Sequence, residues 1–530
     1  ETAQSIVEKH LQAGLEACGA LEGGTAVLMN VKTGAILALS TKGDYDPNDP
    51  FTISQEAEDA IPEKVEDALK KAQEKEQQEL NTLQLAIDNA ETDEARAEAK
   101  KALADYERID ITTLRDELTD QMWGEAQNKQ WRNKAVSDTY YPGSVFKMVT
   151  GSMAMESGVA SEDSTYTCTG QWVFDDSTID PIYCWYHAGH GTETFVDGIC
   201  NSCNPYMIWL GQKMGRHTFF NFFEAFGFTQ RTGIDLPGEA RSVVGSQNTL
   251  YDPTKPVGES SQDTSRPIIV FNSIKSHLKK CGESRGMEYD DERLSSCAKR
   301  LMDMAVAYPE SAWLENMRTI LMEELNMPRS MVYSNAVITD TYNYMNDIKW
   351  GGSQTILTAI GQSVTTVTPI AVARYVTAVA NGGKVYNVSI VDSIISPEGE
   401  VLSRRDPVLI NDLNDTNGYF NLIHKGMKGV TDDTGTAKRY WSDFKEDWRN
   451  NMGAKTGTAQ VNQIDLENNG WFVCFAPLDN PKVAIVVYVP HGYSGAMCSY
   501  AAKDFLNWIF PEWDKSDVDY DLPIGNSLAP

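Results

Sequence analysis

Hydrophobic positions along this chain change period several times, and each change marks an element. Val7, Leu11 and Leu15 recur every four residues, which predicts an amphipathic helix at the start. Thr25 to Val31 and Ala35 to Leu39 flank Lys32-Thr33-Gly34 and predict a β-hairpin. Asp44-Tyr45-Asp46-Pro47-Asn48 then reads as a turn-rich loop. From Glu56 to Asn128 the chain is rich in Glu, Lys, Ala, Gln and Leu, with almost no Gly. Leu80, Leu83 and Ile87, then Leu114, Leu118 and Met122, fall at helical spacing. This predicts a helical hairpin or short coiled coil, either a solvated insertion or a partner-docking arm. Thr194 to Gly215 is a further helical stretch. Residues 263–350 read as a second, mostly helical and Met-rich insertion. A short helix follows Thr368-Pro369 and runs to Asn381-Gly382-Gly383. Trp471, Val473 and Phe475 alternate with Phe472 and Cys474 as in a strand, Val483 to Val489 forms the next strand, and Ala501 to Phe510 a terminal helix. Helices flanking late antiparallel strands predict an α+β layer fold.

Composition narrows the classes. The 530 residues are 41% hydrophobic, ample for a large core and for several domains. Lys and Arg number 46 against 75 Asp and Glu, a formal net charge of -29. With no basic stripe, nucleic acid is not an expected partner. No apolar run approaches the roughly 20 residues that span a bilayer. Because Glu1 opens inside an amphipathic pattern, an N-terminal anchor or earlier domain is expected to be missing from this chain. The nine cysteines are an odd number and lack the spacing of a small disulfide scaffold.

Chemistry concentrates at three motifs. Tyr141-Pro142-Gly143-Ser144-Val145-Phe146-Lys147 puts a serine and a lysine three apart after a turn. If a helix starts there, both side chains share one face. A hydroxyl needs a base to act as nucleophile, and a neutral lysine can be that base if its surroundings lower its pKa. The second motif is Asn201-Ser202-Cys203-Asn204, and the third is Lys455-Thr456-Gly457-Thr458. The ordered set S-x-x-K, S-x-N, K-T-G belongs to penicillin-binding proteins and class A β-lactamases.

On these motifs the chain resembles the class B penicillin-binding proteins. Ala26-Val27-Leu28-Met29-Asn30, Tyr45-Asp46-Pro47-Asn48, Gly233-Ile234-Asp235-Leu236-Pro237-Gly238-Glu239, Gly361-Gln362, Gly435-Thr436-Ala437 and Trp471-Phe472-Val473 extend the similarity. The resemblance implies a serine transpeptidase or β-lactamase-like fold, an antiparallel sheet packed by helices, with helical insertions added. On that basis residues 1–55 begin the transpeptidase domain, 56–128 and 263–350 are the insertions, 129–262 and 351–512 are its core, and 513–530 are a tail. It implies D,D-transpeptidation of peptidoglycan stem peptides outside the cytoplasmic membrane, acylation by β-lactams, and a membrane-embedded glycosyltransferase partner.

The roles it implies follow from chemistry. Ser144 attacks the penultimate D-Ala carbonyl and Lys147 takes its proton. Lys455 is the second cation beside Lys147. Ser202 relays the proton to the leaving amine. Asn204 orients Lys147 and bonds the substrate amide. Lys455, Thr456 and Thr458 hold the terminal carboxylate, Gly457 lets substrate approach an edge strand, and the Ser144 and Thr458 N–H groups form the oxyanion hole. A class A deacylating glutamate is not matched, since Glu323-Glu324-Leu325-Asn326 has Met322 where it belongs.

Cys168, Cys184, His187, His190, Cys200 and Cys203 crowd the section leading to Ser202. Cys168, Cys184, His190 and Cys203 would suit a structural zinc ion. His187 or Cys200 could substitute, and Asp175 or Asp176 could add an oxygen ligand. A Cys168–Cys184 disulfide and an unliganded core are the alternatives. Catalysis itself needs no cofactor. The competing functions are a β-lactam sensor domain, a carboxypeptidase or β-lactamase, and a scaffold built on the helical arms.

Overall fold

The computed structural model describes residues 2–20, 23–90, 92–174, 180–259, 265–413, 415, 417–432, 435–459 and 468–515. Asp175, Asp176 and most of the 513–530 tail lie outside them. The chain divides into two compact units, Glu1–Ala20 with Gly24–Thr41 and Lys134–Pro530, and Leu21–Gly23 with Lys42–Asn133.

A five-stranded sheet organises the larger unit, in the order Gly453–Ala459, Asn469–Ala476, Val483–Val489, Gly24–Asn30, Ile36–Lys42. The first four strands pair antiparallel, with Lys455 opposite Val473 and Val473 opposite Val486. Period-2 alternation decides which core each side chain joins. Trp471, Val473 and Phe475 enter one core, and Phe472, Cys474 and Ala476 enter the other. Both faces are therefore covered. Thr2–Cys18, through Val7, Leu11 and Leu15, packs with Ser499–Lys515 on one face. The other face is covered by Pro369–Ala380, in which every residue is buried. Pro369 opens that helix where a missing N–H is harmless, and the Thr368 side chain accepts from the Ala371 N–H.

Residues 265–346 of this unit form helices Ser265–Glu283, Asp291–Ala307, Trp313–Leu325 and Asn335–Asn346. They enclose a separate core that includes Ile274, Leu301, Trp313 and Leu321. In the smaller unit three helices form where the heptad-like spacing predicted a hairpin: Gln55–Asp88, Asp93–Ala104 and Ile111–Trp131. The extra break is local. The first helix ends at Asn89, and the Thr92 side chain caps a new start by accepting from the Ala95 N–H. Ile53, Ile61, Val65 and Leu69 form this unit's core, flanked by Leu114, Leu118 and Met122. Among the described residues no helix is long and apolar enough to cross a membrane.

Candidate active site

Ser144 does not open an α-helix. It sits in a 3-10 turn, Gly143–Phe146, and the α-helix begins at Lys147 and runs to Glu156. Gly143 explains the tight entry. Its φ is +55°, its N–H donates to the Gly361 carbonyl at 2.9 Å, and a Cβ there would lie 2.9 Å from the Thr458 carbonyl oxygen. Two aromatic residues fix the turn from outside. Trp471 Nε1 donates to the Tyr141 carbonyl at 2.9 Å, and the Tyr375 hydroxyl donates to the Val145 carbonyl at 2.7 Å.

Lys147, fully buried, projects from the first turn of its helix. Its Nζ donates to the Ser202 carbonyl at 2.7 Å, to Asn204 Oδ1 at 2.6 Å and to Ser202 Oγ at 3.2 Å. Burial pushes its pKa down to about 8, against the opposing pull of Cys184, Cys203 and Glu193. Lys455, on the edge strand, reaches the same hydroxyl, with Nζ 2.8 Å from Ser202 Oγ and 3.0 Å from the Thr456 carbonyl. Burial, and then the charge of Lys147, hold its pKa well below the usual lysine range. One serine hydroxyl thus bridges two buried amines.

Ser202 and Asn204 reach this point because the predicted helix from Thr194 is interrupted. Helix Phe195–Cys200 stops, Ser202 takes φ +53°, and Asn204 starts a new helix that breaks at Gly215, where φ is +71°, before a second helical stretch ends at Ala225. A non-glycine residue in the left-handed region is costly and concentrates at functional sites. Asn204 uses both ends of its amide, since Nδ2 also donates to the Tyr183 carbonyl at 3.0 Å.

Gly453–Ala459 is the sheet's edge strand by topology, yet all of it except Thr458 is buried. A Cβ on Gly457 would lie 2.9 Å from Val145 Cγ1 and 3.1 Å from the Val145 nitrogen. The glycine therefore admits the nucleophile turn, a constraint that stands beside the substrate approach expected of it. Thr456 Oγ1 lies 2.7 Å from Thr436 Oγ1, and Thr458 Oγ1 accepts from the Gly495 N–H at 3.4 Å. Thr436, Tyr375 and Trp471 support the site, but spacing gives no sign of them. Only the phrases Gly435-Thr436-Ala437 and Trp471-Phe472-Val473 hint at two. Glu324 lies outside the site, on helix Trp313–Leu325, where it pairs with Arg300 and accepts from Ser296 at 2.9 Å.

Behind Ser202, the candidate ligand atoms of Cys168, Cys184, His190 and Cys203 all lie within 4.8 Å of one another. Cys168 ends strand Tyr166–Cys168, which pairs with Gly191–Glu193 and so brings His190 close. Cys184 Sγ lies 3.6 Å from His190 Nδ1. The hydrogen bond shared between the Cys184 and Cys203 thiols lowers the pKa of Cys184 and raises that of Cys203. All nine cysteines are free thiols in this structure, Cys168 and Cys184 among them. His187 is exposed and stacks near Tyr183, and the Cys200 sulfur faces Gly429, so neither joins the group. Glu193, missed in the sequence, is buried beside it, with Oε2 3.8 Å from His190 Nδ1 and no hydrogen-bond partner.

A protein-family model described as the penicillin binding protein transpeptidase domain matches residues 24–261 and 333–510. Stage V sporulation protein D of Bacillus subtilis is 27% identical over 243 residues, 46% of this chain and 26% of that protein. Peptidoglycan D,D-transpeptidase MrdA of Haemophilus influenzae is 22% identical over 413 residues, 74% of this chain and 48% of that protein. The chain therefore spans half or less of the length of these curated relatives. The crystal structure of Pseudomonas aeruginosa PBP2 in complex with WCK 5153 has the same fold, at a TM-score of 0.53 and 18% identity over 95% of this chain and 77% of that one.

Proposed function

Since the chain belongs to the penicillin-binding protein transpeptidase domain family, we propose that it is a peptidoglycan D,D-transpeptidase acting through a Ser144 acyl-enzyme. The observation that carries this reading is the pair of buried lysine amines converging on Ser202 Oγ beside the serine turn. Ser144 Oγ bonds to the penultimate D-Ala carbonyl carbon of a stem peptide and gives its proton to neutral Lys147. The N–H groups of Ser144 and Thr458 take the developing oxyanion. The proton passes through Ser202 to the leaving D-Ala nitrogen as the C–N bond breaks. A second stem peptide's amine then attacks the ester carbonyl carbon and gives its proton to Lys147, which returns it to Ser144 Oγ as the C–O bond breaks, so the cross-link forms and Ser144 is freed.

Lys455, Thr456 and Thr458 hold the substrate's terminal carboxylate. Its negative charge favours protonated Lys455 and so keeps Lys147 neutral for its role as base. β-Lactams acylate the same serine. We further infer that 56–128 and 263–350 are insertions in this domain, and the gap in the family match between 261 and 333 supports the second. An extracytoplasmic site of action, an anchor outside this chain and a glycosyltransferase partner complete the reading.

Mass spectrometry of the intact protein after penicillin tests it. One adduct mapped to Ser144 and lost in Ser144→Ala is expected. Labelling that survives Ser144→Ala refutes the assignment, and rapid loss of label favours a hydrolase.

The donor set of Cys168, Cys184, His190 and Cys203 suits zinc, and Glu193, whose Oε1 accepts from Asn201 Nδ2 at 2.8 Å, leaves Oε2 as a buried acceptor beside the group. The ion's contribution is structural, tying the Tyr166–Cys168 strand to the loop that carries Ser202 and Asn204. Protein purified without added zinc is expected to hold about one zinc per chain by elemental analysis, and Cys168→Ser with Cys184→Ser to hold almost none. A content near zero in the unaltered protein removes the ion from the reading.

A further inference from the structure

A cavity of about 810 Å³ opens at the end of the main sheet where Ala476 turns towards Val483, the opposite end from Thr458. None of Ser144, Lys147, Ser202, Asn204 or Lys455 lines it. Its walls come from the end of strand Gly24–Asn30, the end of helix Pro369–Ala380, strand Lys384–Tyr386 and helix Tyr419–Gly429. The size is that of a small-ligand site.

The charge of this cavity runs against the rest of the molecule. In a chain of net charge -29, four lysines line it, Lys32, Lys384, Lys425 and Lys428, against Asp415 and Asp479. Asp415 is already engaged. Its carboxylate accepts from the Tyr419 N–H at 2.7 Å and the Phe420 N–H at 3.2 Å, at the start of helix Tyr419–Gly429. Helix N-termini favour a negative charge there, so this carboxylate offers less to the lysines. Among the described residues the ion pair of Lys425 is with the exposed Glu162, at 3.9 Å. Among the described residues Lys384 and Lys428 make no ion pair. His424 is not a fifth cation, since its Nε2 lies 2.8 Å from the Val379 carbonyl and burial lowers its pKa.

Four lysines set against two aspartates leave the cavity an excess of positive charge, and a bound anion relieves the repulsion among the lysines. An ammonium group is a point charge that accepts phosphate or carboxylate without the planar match arginine demands. We propose that this cavity is a binding site for a ligand carrying two or more phosphate or carboxylate groups, separate from the serine site. The concave shape favours a small anion or one charged segment of a polymer over a flat protein surface.

Isothermal titration calorimetry on this chain at low salt tests it, with inorganic tripolyphosphate and citrate as probes and neutral tri-N-acetylglucosamine as control. Saturable binding of at least one anion, at one per chain, is expected. It should weaken about tenfold or more in the Lys384→Glu, Lys428→Glu double variant and in high salt. Which anion binds more tightly separates phosphate from carboxylate recognition. The single variants Lys384→Ala and Lys428→Ala should each weaken binding, a check that does not depend on the double variant folding. Binding is read as heat, so it is expected unchanged in Ser144→Ala, and its failure is distinct from failure of the transpeptidase reading. No saturation by either anion, or equal affinity in the charge-reversed protein, overturns the proposal.

Discussion

Lys147 is the residue on which the chemistry turns, because its protonation decides whether Ser144 has a base. Burial sets its pKa at about 8. Below that value the amine is charged and cannot accept a proton, and above it the base is ready. The rate of acylation by a labelled penicillin is therefore expected to fall about tenfold per pH unit below a midpoint near 8, and to level off above it. Asn204 holds Lys147 through a 2.6 Å hydrogen bond. Such a bond to a charged group is worth about 1.5 kcal/mol or more, so Asn204→Ala should move the midpoint down by about one unit. The plateau should fall as well, because Nζ loses a positioning partner. Stopped-flow acylation across pH reads both quantities, and an unmoved midpoint would mean that Asn204 does not govern this lysine. At this scale the site was legible in sequence wherever its residues lie close together in a motif. Tyr375 and Trp471 were not, because each holds the serine turn from more than 200 positions away, and no spacing encodes that.

Elements show what packing adds to a motif. Alternation in Trp471–Phe475 was enough to predict the strand, because a strand buried on both faces still assigns neighbouring side chains to opposite cores. The K-T-G strand was also legible, but the contact that its glycine permits with the serine turn was not. Spacing cannot reveal that a 3-10 turn lies against Gly457 with only van der Waals clearance. Likewise, Ser202 breaks a helix that the hydrophobic pattern carries straight through. The contact at Gly457 makes a sharp expectation. Gly457→Ala inserts a methyl 2.9 Å from Val145 Cγ1, so the turn must move away from the strand. Overpacking of this kind costs about 1–3 kcal/mol. The variant should melt at lower temperature, and its acylation rate should fall by about tenfold or more, since the turn that moves carries Ser144. Gly352→Ala, where a Cβ meets nothing within 4 Å, should change neither. Normal acylation and an unchanged melting temperature in Gly457→Ala would mean that the turn accommodates the methyl without moving Ser144.

For the whole molecule, composition anticipated a large core but not how unevenly it is distributed. The larger unit buries its sheet on both faces, while the smaller unit rests on Ile53, Ile61, Val65 and Leu69, with Leu80 and Ile87 buried farther along the same helix and a few half-buried neighbours. Helix Asp93–Ala104 buries no residue at all, and helix Ile111–Trp131 has none fully buried. A helix of 12 residues is marginal in water without tertiary packing. Caps from Thr92 and Asp110 fix where these helices start but supply only about 1 kcal/mol each. Local opening in the smaller unit therefore requires little free energy, whereas the central strands open only with the whole larger unit. Hydrogen exchange followed by mass spectrometry should order the chain accordingly. Amides of 93–104 should exchange first, those of 111–131 next, and those of 470–476 and 483–489 last. Slow exchange throughout 93–104 in the isolated chain would contradict this distribution of stability.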